Sequence, residues 1–296
     1  MSETFQLIAE ASGERLDLFV TAHCVELSRT QVQKLVSAGH VTVNGAPGKA
    51  SFRLTAGDRV NVTVPPAPPS PLVPESVPLH ILYEDADLLV LDKPPGMAVH
   101  PAPGHPEHTL VNAVLAYFPG LAEVNASRRP GIVHRLDKDT SGVMLVAKNS
   151  RAQRELERQF KERTVRKSYL VLVRGKLEPP QGAIEAAIGR DPANRQRMAV
   201  VRGGREARTR YEVRRYLPGF TLLEVFPETG RTHQIRVHLR AIGFPVAGDA
   251  TYGVKHPKLS RQFLHAHRLG FNLPSTGEFV EFTAELPEDL KGALEE

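Results

Sequence analysis

Seven prolines fall in the 14 residues from Pro65 to Pro78 and mark the clearest boundary in the chain. Proline locks φ and has no backbone N–H, so this stretch resists both helix and central strand. It reads as an extended, semi-rigid linker. The 296-residue chain is thereby divided into a small module (residues 1–64), the linker (65–78) and a catalytic-sized module (79–296). With 41% hydrophobic residues the chain can bury a sizeable core, and 24% charged residues is too ordinary a fraction for a disordered one. No stretch is long and apolar enough to span a bilayer, and Met1-Ser2-Glu3-Thr4-Phe5 lacks the basic-then-apolar layout of a signal peptide. The single cysteine, Cys24, cannot close an internal disulfide and fits a reducing compartment. A cytoplasmic protein with no membrane partner is expected.

The formal net charge of +5 is unevenly distributed. Residues 1–64 carry six Lys/Arg against six Asp/Glu, hence no net charge. Residues 151–175 carry eight against three, and residues 190–215 nine against three. Basic clusters of this kind suit a polyanion such as nucleic acid, with solvated helix and strand faces as the alternative.

In the small module, Arg15-Leu16-Asp17-Leu18-Phe19-Val20 begins a helical pattern. Ser28 reads as the N-cap of a second helix to about Ala38, with Val32, Leu35 and Val36 on one face and Gly39 as terminator. His40–Val43 then alternates into Asn44-Gly45, a strong hairpin signal, and Gly57–Val62 supplies another turn and strand. The run Ser28-Arg29, Gly39-His40-Val41, Val43-Asn44-Gly45 and Gly57-Asp58 resembles the RNA-binding domain shared with ribosomal small-subunit protein S-four. That resemblance implies RNA contacts from Arg15, Arg29 and Lys34, gripping shape and backbone rather than sequence.

The larger module mixes element types without a regular βαβ repeat. Strands are expected at Leu79–Tyr83, Leu88–Leu91, Val143–Ala147, Ser168–Val173, Thr209–Leu217 and Thr221–Phe226. Helices are expected at Thr109–Phe118, at Ser150 to about Arg163 with a Ser150/Gln153 capping pair, and from a Thr232 cap to Ile242 with Ile235, Leu239 and Ile242 as its apolar stripe. This is an α+β reading with a large mixed sheet flanked by helices.

The segment that carries most chemistry is Gly131-Ile132-Val133-His134-Arg135-Leu136-Asp137-Lys138-Asp139-Thr140-Ser141-Gly142, an acid- and base-rich loop running into an apolar strand. Polar residues pinned to a rigid strand can be held precisely enough for a site. His-Arg-Leu-Asp-x-x-Thr-Ser-Gly resembles the signature of RluA-type pseudouridine synthases. Four further blocks agree in order: Leu91–Met97 with His100-Pro101, Lys167–Leu170, Gly230–Leu239 and Phe263–Ala266. The S-four-like module points to the RluD/RluC branch.

The resemblance implies a catalytic domain with a large, mostly antiparallel mixed sheet, acting without cofactor or metal. Asp137 is then the essential carboxylate, attacking the sugar or removing a sugar proton to give a glycal; the residues leave both routes open. Arg236 is implied to pair with Asp137, where a neighbouring cation favours the ionised form. Tyr169 is implied to stack on the extruded uracil, and Arg135 to fill the place it vacates in the RNA. His134 and Leu264, within matching motifs, are further candidates for RNA contact. Asp139 reads as a loop-stabilising residue. His100, His105 and His108, and the pair His233/His238, look superficially like metal ligands, but no cysteine partners them and His233/His238 are five apart. The expected partner is structured RNA, large-subunit ribosomal RNA or pre-ribosomal particles, bound by a monomer. Two alternatives are a transfer-RNA pseudouridine synthase and a non-catalytic RNA-binding assembly factor.

Overall fold

The computed structural model describes residues 3–24, 27, 29–65, 72–101, 107–124, 130–194 and 196–295. Ser28, residues 66–71, His105 and Arg129 therefore lie outside the described residues. The chain forms two compact units, Met1–Ser70 and Pro71–Glu296. Of the expected linker, Val73 and Glu75 are already bonded into the second unit, through Asn112 and His108.

The first unit comprises β1 (Glu3–Ile8), α1 (Leu16–His23), α2 (Arg29–Ser37), β2 (Val41–Val43), β3 (Ala46–Pro47) and β4 (Arg59–Val64). Its antiparallel sheet has the order β1-β4-β2-β3. Asn44 and Gly45 both take positive φ, 51° and 85°, the conformation a two-residue hairpin turn requires. Leu16, Phe19 and Val20 of α1 and Val32 and Val36 of α2 pack with Val41, Val60 and Val62 of the sheet. The strand β1 was absent from the sequence reading. It has little local signal and exists through its pairing with β4, far along the chain.

The second unit is built on a nine-stranded sheet: β5 (His80–Glu84), β6 (Leu88–Lys93), β7 (Ser141–Ala147), β8 (Arg166–Arg174), β9 (Gln181–Glu185), β12 (Arg208–Leu217), β13 (Phe220–Pro227), β14 (Leu264–Asn272) and β15 (Phe279–Thr283). The order is β5-β6-β7-β14-β8-β13-β12-β9, with β15 beside β14, and only β7 and β14 pair in parallel. A separate hairpin joins β10 (Ile188–Arg190) to β11 (Met198–Val200). Three helices cover the sheet, α3 (Leu110–Tyr117), α4 (Ser150–Glu162) and α5 (Gln234–Ala241), and a short α6 (Glu288–Lys291) follows.

Strands β6 and β7 are apolar at nearly every position because both their faces are covered. Leu89, Leu91, Met144 and Val146 face Leu110 and Val114 of α3, while Leu88, Val90, Val143 and Leu145 face Ala152 and Leu156 of α4. Fully burying one such side chain contributes about 1.5–3 kcal/mol, so these strands are a rigid base for the loop that enters β7.

Two expected caps are displaced. The N-cap of α4 is Asn149, whose side chain accepts from Ala152 N at 2.9 Å, and Gln153 instead accepts from Gly131 N. Thr232 does not cap α5. Its cap position is His233, in the left-handed region at φ 55°, because Gln234 organises the turn by accepting from Thr229 Oγ1 and Arg231 N and donating to Thr209 Oγ1. Ile242 falls past the helix end and is 37% exposed, outside the buried stripe of Ile235 and Leu239.

Candidate active site

The loop 131–142 is pinched by backbone at both ends. A Cβ on Gly131 (φ 72°) would lie 2.4 Å from the Ala147 oxygen, and one on Gly142 (φ 115°) 2.2 Å from the Ala266 oxygen. Only glycine allows these approaches and these conformations. Between them the loop is tied from beneath. Lys93, fully buried, donates to the carbonyls of Pro94 (2.7 Å), Met97 (2.9 Å) and Lys138 (3.1 Å). Burial pushes its pKa down to about 7, against the pull of Asp139, yet three accepting carbonyls match the three protons of an ammonium group. Arg261 donates to the Asp139 carbonyl while clamped on Asp289 at 2.6 and 3.0 Å. At Asp139 it is thus the backbone that is held.

This scaffold presents Asp137 to a cavity of about 520 Å³ that is also lined by His134, Arg135, Tyr169, Arg236 and Leu264. Six of the nine residues singled out from sequence meet there. Arg236 Nη1 donates to Asp137 Oδ2 at 2.9 Å, and the rest of the guanidinium grips Asp249 at 2.7 and 2.9 Å. Asp249 is itself buried and accepts from the N–H groups of Thr251 and Tyr252. Burial works against the charge on Arg236, but the hydrogen bonds and charges of Asp249 and Asp137 prevail and raise its pKa. Asp137 Oδ1 receives no hydrogen bond among the described residues; the nearest cationic candidate is His233 Nε2 at 3.9 Å. Burial lowers the pKa of His233, and its Nδ1 shares a 2.9 Å hydrogen bond with Tyr252 Oη, which accepts from Met198 N.

Tyr169, on β8, packs against the cores on either side while also lining the cavity. Burial and the charge of Asp137 raise its pKa, so the ring carries a neutral phenol. His134 stacks on Phe160 at 4.8 Å and accepts from Leu145 N through Nε2, with burial lowering its pKa to about 3. It is a neutral ring held against β7. Arg135 is exposed at the cavity, and Leu264 on β14 is 4% exposed.

The remaining three belong to the first unit. Arg15 and Arg29 donate to the buried carboxylate of Asp17 at 3.0 and 2.9 Å, and Lys34 is exposed on α2. Of the histidines, His238 sits between Thr209 Oγ1 and the Ala186 carbonyl, and His108 pairs with Glu75. Asp249, Lys93, His233 and Tyr252 were not assigned roles from sequence. Their contributions arise from packing between distant segments, for which no local spacing exists.

A half-buried carboxylate with one oxygen fixed and the other open, beside an aromatic ring, can attack or deprotonate a ligand in the cavity. Residues 87–241 match the RNA pseudouridylate synthase family, and residues 14–60 match the S4 domain. The chain is 48% identical to an uncharacterized RNA pseudouridine synthase, YlyB, of Bacillus subtilis, over 97% of this chain and 95% of that protein. It is 42% identical to the Nitrosomonas europaea protein named ribosomal large subunit pseudouridine synthase D, over 96% of this chain and 84% of that one. Among solved structures, human RNA pseudouridylate synthase domain containing 1 matches with a TM-score of 0.60 at 31% identity, covering 74% of this chain and 89% of that one. An S4 domain followed by this catalytic fold, with such identity across nearly the whole length, places the chain in the RNA pseudouridylate synthase family as an RNA-modifying isomerase of the RluA/RluD type.

Proposed function

We propose that this enzyme isomerises particular uridines of large-subunit ribosomal RNA, with Asp137 as the reacting carboxylate and no cofactor. The observation that carries the mechanism is the asymmetry of Asp137, which lines the cavity: Oδ2 is bound by Arg236 at 2.9 Å while Oδ1 accepts no hydrogen bond among the described residues. The reaction breaks the bond from N1 of uracil to carbon 1′, turns the base, and forms the bond from carbon 5 to carbon 1′. The carbon-5 proton is lost and N1 gains one, so no co-reactant is consumed. Asp137 serves either by attack on carbon 1′, from which it is displaced when carbon 5 bonds there, or by removal of the carbon-2′ proton, which it returns when carbon 5 bonds to carbon 1′; the freed carboxylate then accepts the carbon-5 proton. Arg236 holds the carboxylate in place through both halves of the reaction. Tyr169 offers the base an aromatic face, and exposed Arg135 supplies a planar group for the gap left in the RNA after base flipping. The ribosomal substrate is supported by the relatives named ribosomal large subunit pseudouridine synthase D, at 42–43% identity over 95–96% of the chain.

Mapping pseudouridine across total RNA, with and without the gene, tests this reading. Loss confined to large-subunit ribosomal RNA, restored by the wild-type chain and not by Asp137→Asn, is the expected result. Loss confined to transfer RNA would replace the substrate, and no loss at all would favour a non-catalytic RNA-binding factor.

A further inference from the structure

The active-site cavity holds more positive charge than the chemistry uses. Seven cationic side chains line it (Arg135, Lys161, Arg163, Lys167, Arg205, Arg231 and Arg236) against two carboxylates, Asp137 and Glu228. Uracil is neutral, and among the described residues Asp137 is hydrogen-bonded through its side chain to Arg236 alone. Glu228 is already engaged by Arg208 and Arg210 at 3.3 and 3.1 Å. The surplus is gathered on one wall, to which four elements contribute. Arg163 follows α4, Lys167 lies on β8, Arg205 precedes β12, and Arg231 lies in the turn before α5.

The wall has few internal partners. Arg163 approaches Glu206 only to 3.9 Å, and that carboxylate is 78% exposed. Arg231 Nε donates to the Glu206 carbonyl, which leaves its Nη groups uncommitted among the described residues. Lys167 makes no ion pair among the described residues and sits 6.0 Å over the Phe160 ring. The cations also act on one another. Burial, then the charges of Arg205 and Arg163, lower the pKa of Arg231; burial and the charge of Arg163 lower that of Lys167 to about 8. A second, independent sign comes from the backbone. Arg163 occupies the C-cap of α4 in the left-handed region, φ 61° and ψ 27°, where glycine is the unstrained choice. The chain places an arginine where helix termination alone favours glycine.

The geometry points to a phosphodiester subsite formed by Arg163, Lys167, Arg205 and Arg231, which holds the RNA backbone beside the uridine being isomerised. This assignment rests on the functional reading above for the identity of the polyanion. Phosphate contacts fix register without reading sequence, so the wall positions the strand while the cavity floor performs the chemistry.

The test measures binding of a short oligouridylate by the full chain as salt is varied, with an oligomer of neutral methylphosphonate linkages as comparison. Arg163→Gly, Arg205→Gln and Arg231→Gln are each expected to weaken binding about tenfold at low salt, and to reduce the slope of log affinity against log salt by about 0.7. None should weaken binding to the neutral oligomer, because the charge that each side chain meets has been removed. Arg163→Gly should do this with an unchanged or higher melting temperature, since it relieves the left-handed strain, so loss of fold is separated from loss of contact. Glu206→Gln, which removes the carboxylate that approaches Arg163, should tighten binding. Unchanged salt slopes in Arg163→Gly and Arg231→Gln, or equal losses on charged and neutral oligomers, would overturn the subsite. Release of tritium from carbon 5 of uridine is scored separately. If the wild-type chain releases none, the proposed function fails while the slopes still decide the subsite.

Discussion

In the first unit Asp17 is fully buried and accepts hydrogen bonds from Arg15, Arg29 and Gln33, whereas in the second unit Asp137 accepts one side-chain hydrogen bond and keeps a 19% exposed side chain. Both are carboxylates gripped by arginine, and the difference lies in what remains unsatisfied. The hydrogen bond from Arg15, with those of Gln33 and Arg29, overcomes the cost of burial and holds Asp17 well below the ordinary carboxylate range. With its lone pairs taken up, Asp17 joins α1 to α2 and has nothing left to react with. At Asp137 the neighbouring arginine is itself anchored on a second buried carboxylate, Asp249, so one oxygen is positioned and the other stays available. An ion pair keeps an oxygen open to a ligand when its fixed partner is held from elsewhere.

Asp137→Asn and Asp17→Asn break this comparison most directly. The first should lower single-turnover conversion at saturating RNA at least about a thousandfold, with the melting temperature little changed. The second should leave the saturating rate within about twofold and lower the melting temperature, because Arg15 and Arg29 lose their shared partner. The two should also part in acid. A carboxylate whose folded pKa is depressed stabilises the fold above its unfolded value of 3.8, and that stability is lost as pH falls below it. Asp17→Asn should therefore flatten the acid limb of the melting profile between about pH 4 and pH 2. A large loss of turnover in Asp17→Asn at an unchanged melting temperature would erase the distinction.

A smaller effect is expected one step behind the carboxylate proposed to react. Asp249→Asn keeps the volume and removes the charge that holds two nitrogens of Arg236 at 2.7 and 2.9 Å. Arg236 then keeps only Asp137 as an anionic partner, and the carboxylate loses its fixed orientation. Turnover at saturation should fall roughly a hundredfold, the scale of a misplaced reacting group, with RNA binding nearly unaltered. Full activity in Asp249→Asn would mean that Arg236 is positioned by its own packing.

What could be read from the sequence follows the same divide between local and distant. The loop 131–142, the Asn44-Gly45 turn and the helix faces of α1 and α3 are encoded by neighbours in the chain, and motif resemblance singles out Asp137, Tyr169 and Arg236, which the fold brings to one cavity. Asp249 lies in a turn with no periodicity, and its role exists only because α5 brings Arg236 against it. Lys93 was visible as part of a motif, but its three carbonyl partners come from two segments far apart in sequence. The misplaced caps teach the same point: Asn149 and Ser150 both fit the start of α4, and the side-chain bond to Ala152 decides between them.

The smallest expected effect lies in the first unit, between two cations that sequence alone treats as equivalent. Arg29 directs Nε and Nη2 at Asp17, both at 2.9 Å, while Lys34 is exposed on α2 and makes no ion pair among the described residues. A lysine without a carboxylate partner is free to exchange counterions for phosphate. An arginine shared with a buried carboxylate has part of its field cancelled and two of its nitrogens committed. Lys34→Ala should therefore lower the salt slope for RNA binding by about 0.7 and weaken affinity two- to threefold, at an unchanged melting temperature. Arg29→Ala should lower the melting temperature, because Asp17 is left with fewer donors in a buried position, and should change the salt slope by less than Lys34→Ala does. Salt titration and thermal melting of the two full-length variants, run side by side, read both quantities. The reverse pattern, with Arg29→Ala moving the slope and Lys34→Ala moving the melting temperature, would show that the Asp17 cluster opens to grip RNA and is not a closed strut.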